Sequence, residues 1–93
     1  MLNKKPKIEY SNHDGKSFKT AIFITGAETA PVGIDAEYKY VASKLGEESI
    51  DWELVLQSLY HTEDGDFDVL EIKTKDGTIK TYYFNISDFY GKY

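Results

Sequence analysis

The stretch WELVLQSLYHTEDGDFDVLEIKTKDGTIKTYYFN, running from Trp52 to Asn85, decides how this chain folds. It holds two turn signals, Asp64-Gly65 and Asp76-Gly77. Asp-Gly suits the positive φ angles of a tight primed hairpin turn. Phe67 to Thr74 between them and Thr78 to Asn85 after them are both of strand length. The segment before the first turn reads two ways. Trp52, Val55, Leu56 and Leu59 would share one face of a helix capped by Ser49 or Asp51. As a strand, Trp52, Leu54, Leu56, Ser58 and Tyr60 point one way, and Val55, Gln57, Leu59 and His61 the other. A three-stranded meander needs an incoming partner ahead of its first turn. Trp52 to His61 has the length and the place, so strand is the expectation.

Upstream, Phe18 to Thr25 is rich in β-branched and aromatic residues and ends at Gly26, which reads as a strand. Glu28 to Gly33 contains Pro31 and Gly33 and reads as a loop. Ile34, Tyr38, Val41 and Leu45 follow at spacings of four, three and four, one face of an amphipathic helix. Asp35 and Glu37 suit its first turn, Lys44 its last, and Gly46 its stop. Lys7 to Ser11 is expected to add an edge strand, with residues 1–6 frayed. Ser87 would cap a helical turn over Asp88 to Gly91. The expected fold class is therefore α+β: one main amphipathic helix on a mostly antiparallel sheet of four strands, five with the N-terminal piece. The order is β(β)αβββ plus a short C-terminal helical turn, in a single small domain spanning residues 1–93.

If both hairpins have two-residue loops, register follows. His61 pairs with Asp68, Leu59 with Leu70, Ile72 with Thr81 and Leu70 with Tyr83. One face then carries Val55, Leu59, Leu70, Ile72, Ile79 and Tyr83 under the helix. The other carries Trp52, Leu54, Leu56, Tyr60, Val69, Tyr82 and Phe84. It is too apolar to stay wet, and a single helix cannot cover both faces. Either the C-terminal segment with Phe89, Tyr90 and Tyr93 folds over it, or a protein partner or second copy does. Trp52, Leu54, Leu56, Tyr60, Tyr82 and Phe84 are thus the candidate partner-binding residues. A one-residue slip in either loop would exchange the faces.

Charge narrows the partners. The 93 residues carry a net charge of −5, distributed unevenly. Residues 1–19 hold five lysines against Glu9 and Asp14, while Glu28 to Glu71 hold twelve acids against Lys39 and Lys44. Arginine is absent, and phosphate backbones need Lys or Arg, so direct nucleic-acid binding is not expected. No apolar run reaches the roughly 18 residues of a membrane span, and no apolar signal core follows Met1-Leu2-Asn3-Lys4-Lys5. A cytoplasmic protein without membrane contact is the expectation. Cysteine is absent, which removes thiolate metal sites and thiol nucleophiles. A calcium loop opening at Asp64 would need Gly and Glu where Val69 and Lys75 stand. No metal or cofactor is expected. His61 opposite Asp68 is the one polar pair to consider, without a Gly-x-Ser-x-Gly elbow to supply a nucleophile. The leading reading is a non-enzymatic protein–protein interaction or regulatory module, self-association included. An acidic decoy that occupies a basic nucleic-acid-binding surface is the alternative, and a small-ligand binder or enzyme built on His61 and Asp68 a further one.

Overall fold

A computed structural model describes residues 7–92. The expected fraying of residues 1–6, and any role of Tyr93, lie outside the described residues. The elements are β1 (Glu9–Tyr10), β2 (Ile22–Thr25), α1 (Ala30–Leu45), β3 (Trp52–Thr62), β4 (Gly65–Thr74) and β5 (Ile79–Asn85). They form an α+β fold with one helix and a five-stranded, mostly antiparallel sheet in the order β1-β2-β5-β4-β3. Among the described residues β2 and β5 are the one pair of neighbouring strands that run parallel. Trp52 to Thr62 is a strand, because β4 supplies it with a full ladder of partners. Since β3, β4 and β5 alternate in direction, β3 runs parallel to β2 from the far edge of the sheet. The helix α1 makes the crossover between them.

The helix begins earlier than its sequence suggests. Thr29 is the N-cap, its hydroxyl accepting from Val32 N–H, and Pro31 sits in the first turn, where a missing N–H costs nothing. Glu28 to Gly33 is therefore not a loop throughout, and Asp35 and Glu37 fall beyond the first turn. The buried residues are Gly33, Ala36, Glu37 and Val41, while Ile34 is exposed. The small residues Gly33 and Ala36 let the helix settle closer on that side than an Ile34–Tyr38 face would allow. Gly46 ends the helix as expected, donating its N–H to Ala42 O.

Register is corrected at both hairpins. The first loop is Glu63-Asp64, with Gly65 already in β4, so His61 lies opposite Asp66 and Leu59 opposite Asp68. Gly65 is needed there because a Cβ would meet the Ser87 hydroxyl oxygen that accepts from Asp66 N–H. The second loop has three residues, Lys75-Asp76-Gly77, closed by Gly77 N–H to Thr74 O, with Gly77 at φ +90. That extra residue slips β5 by one place, pairing Leu70 with Tyr82 and Ile72 with Lys80. A bulge at Val55 then shifts β3 by one against β4. The facing of β5 and of the start of β3 reverses accordingly, while Leu70 and Ile72 stay on the helix side as expected. Trp52, Leu54, Leu70, Ile72, Tyr82 and Phe84 lie under α1 with Ile22 and Ile24. Beyond the bulge β3 keeps its expected facing, with Leu56 and Tyr60 on the opposite face and Gln57, Leu59 and His61 on the helix side.

The C-terminal segment does not cover the opposite face. Residues 86–92 form a hydrogen-bonded turn on the helix side, with Tyr90 N–H donating to Ile86 O and Lys92 O accepting from Ala30 N–H. Phe89 is 1% exposed against Gly33. The connection between β1 and β2 reaches the opposite face instead. Phe18 packs edge-on against Tyr60, Phe67 and Tyr83 at centroid separations of 5.2, 5.2 and 5.0 Å.

Candidate functional site

Of the six candidate partner-binding residues, the fold uses four within itself. Trp52 is 2% exposed and Phe84 fully buried, while Leu54 and Tyr82 are half-buried against the same core. The indole N–H of Trp52 donates to Gly46 O at 2.8 Å, which ties the end of α1 to the start of β3. Leu56 and Tyr60 remain at the surface, 52% and 43% exposed. They are joined by Val55 at 52% and Leu59 at 48%, both of which the two-residue-loop register assigned to the covered face. These four side chains lie along β3, an edge strand. Among the described residues, its outer edge receives one backbone bond, from Ser49 N–H to Trp52 O. Val55 escaped sequence reasoning because a bulge leaves no mark in an alternating pattern, whereas Leu59 lies on its expected face but at the edge of the sheet, where it stays exposed.

A second cluster lies beneath the same strand. Gln57 Nε2 donates to both oxygens of Asp68, at 3.0 and 2.9 Å. Asp68 is 2% exposed and faces Glu37 of α1, which is fully buried. Among the described residues neither Glu37 oxygen has a hydrogen-bond partner of ordinary geometry. Burial first, then the adjoining Asp68 carboxyl, pushes the Glu37 pKa up to about 10. Glu37 is therefore protonated at neutral pH, which leaves it uncharged in the interior and able to donate toward Asp68. The sequence hinted at this position, since Glu37 lies four residues from both Gly33 and Val41 of the buried helix face.

His61 pairs with Asp66 rather than Asp68, Nδ1 to Oδ1 at 2.7 Å, and stacks at a tilt against Tyr90. Among the described residues no three His, Asp or Glu side chains converge at metal-ligand spacing. Three surface depressions of about 200, 660 and 290 Å³ lie by Ser49–Trp52, by Leu45 and Asp76, and by Asp14 and Tyr82. None of the three is lined by Glu37, His61 or Asp68. The acidic side chains are divided: Glu37 and Asp68 lie inside, Glu63 and Asp64 at one end of β3, and Glu47, Glu48 and Asp51 at the other. Among the described residues no helix is long and apolar enough to cross a membrane. Comparison with protein-family models, with curated proteins and with solved structures found no match.

Proposed function

We propose that this chain is a small, non-enzymatic module that binds another protein along the free edge of β3. The observation that carries the reading is the row Val55, Leu56, Leu59 and Tyr60, exposed beside an edge whose outward backbone groups beyond Trp52 have no backbone partner within the described residues. Exposed edges pair readily with an added strand, and apolar side chains alternating along one supply affinity to either face. The pairing of His61 with Asp68 that a ligand binder or enzyme would use is not formed, and the divided acids give a decoy no single surface.

The test is site-specific photo-cross-linking in the source cells. A cross-linker in place of Leu56 is expected to give a discrete protein adduct, and one in place of Lys39, on the exposed side of α1, none. The Tyr60→Asp change should abolish the Leu56 adduct. Absence of any adduct from Leu56, or equal adducts from both positions, would overturn the reading.

A further inference from the structure

The hydrogen-bonding direction of each residue in β3 can be worked out from its neighbours. Across β4 and β5, Thr74 N–H donates to Thr78 O at 2.8 Å, and Asp66 O accepts from Ile86 N–H at 2.8 Å. Even-numbered residues of β4 thus turn their N–H and C=O toward β5, and Phe67, Val69 and Glu71 turn theirs toward β3. Their partners Tyr60, Ser58 and Leu56 are the inward-bonded residues of β3. Gln57, Leu59 and His61 aim both backbone groups outward.

We infer that this edge pairs with the same edge of a second copy of the chain, antiparallel about a two-fold axis at Leu59. The inference rests on the reading of β3 as an interaction edge and names its partner. Only outward-facing residues can exchange hydrogen bonds across the axis. The regular stretch is bounded by the bulge at Val55 and the hairpin loop at Glu63, which leaves Leu56 to Thr62 with Leu59 at its midpoint. In that register Leu59 meets Leu59, Gln57 meets His61, Ser58 meets Tyr60 and Leu56 meets Thr62. An apolar centre is flanked by an amide and an imidazole able to hydrogen-bond, and no two like charges stand directly opposite. Pairing forms about six main-chain hydrogen bonds and joins two sheets into one. The strand contains no Lys and no Pro, two of the usual devices that keep edges apart. Glu53, Glu63 and Asp64 flank the paired stretch and repel across the axis, so salt strengthens the association. One strand pair buries less than the roughly 1,200 Å² of a standard complex, which sets the dimer as weak, appreciable from about 100 μM upward.

Sedimentation equilibrium from about 10 μM to 1 mM tests the inference on the intact chain and two variants. Leu59→Pro removes an outward N–H while leaving the bonds to β4 intact. Leu59→Lys places like charges at the axis and keeps the proposal testable if the proline variant does not fold. The intact chain should rise toward twice its monomer mass, more so with added salt, and folded variants should stay monomeric. A monomeric intact chain at 1 mM, or a Leu59→Lys protein that associates as strongly as the intact one, overturns the inference. If the intact chain is monomeric but Leu56 cross-links to a different protein, self-pairing fails and the interaction edge stands. If neither is seen, both fail.

Discussion

At the scale of single residues, Glu37 and Asp76 make the stability of this protein depend on pH in opposite senses. Burial and the facing Asp68 carboxyl raise Glu37 to about 10, well above its ordinary 4.5. Between those values the folded chain keeps a proton that the unfolded chain has released. Stability therefore falls as pH rises through that window, by at most about 1.4 kcal/mol per pH unit. Glu37→Gln preserves shape and removes the titration, so thermal melts should show a higher Tm at pH 8 and a flatter profile from pH 5 to 9. A variant with an unchanged slope would contradict the assignment. Asp76 is the reverse case. Hydrogen bonds from the Thr74 and Thr78 hydroxyls and from Thr78 N–H hold its carboxyl down at about 2, in the turn before β5. Its contribution is complete above the ordinary carboxylate pKa of 3.8 and is lost as pH falls toward 2. Asp76→Asn should lower stability at neutral pH and lose part of the decline between pH 4 and 2, a difference urea titrations at the two ends would reveal.

Among the elements, α1 and the C-terminal turn depend on each other. Phe89 is buried against Gly33, and a Cβ there would come within 2.5 Å of the ring. Asp88 Oδ2 accepts from Gly26 N–H, which anchors the turn to the end of β2. Phe89→Ala should cost about 3–5 kcal/mol by leaving a cavity, and Gly33→Ala about 1–3 kcal/mol by overpacking. Both are read as shifts of the denaturation midpoint with an unchanged m-value. Equal stability of Phe89→Ala and the intact chain would mean that the turn is not docked. The end of the helix was legible in the sequence, since Gly46 and Lys44 act locally. Its start was not, because Pro31 and Gly33 are compatible with both a loop and a first turn. What selects the helix is the Thr29 cap together with a packing surface that accepts a residue without a side chain. The three strands after α1 were legible for the same local reason: alternation and two turn signals. The loop length at Asp76-Gly77 was not, since Gly77 with positive φ fits a two-residue or a three-residue hairpin equally well.

Over the whole molecule, burial is concentrated where α1 crosses the central strands. Leu70, Ile72 and Phe84 have no exposure, while β1 holds two exposed residues at the sheet margin. Hydrogen exchange should be slowest at the amides of Leu70, Ile72 and Phe84 and fast at Glu9 and Tyr10. Protection of β1 equal to that of β4 would show that the sheet opens only as a unit. The α+β class and the order ββαβββ were readable from sequence because periodicity and turn chemistry are properties of neighbouring residues. Which residues of β5 and of the start of β3 face the helix was not. That choice hangs on one residue added in the β4–β5 loop and one in the bulge at Val55, and each reverses the facing of everything beyond it. The candidate surface changed with it: Leu56 and Tyr60 stayed outside, Trp52, Leu54, Tyr82 and Phe84 went to the core side, and Val55 came out beside Leu59, which is exposed on its expected face. The sequence by itself determined the elements, their order and the directions of the strands in the hairpins. The tertiary structure decided facing, the burial of Glu37 against Asp68, and the parallel contact of β2 with β5, because these are set by contacts between residues far apart in the chain.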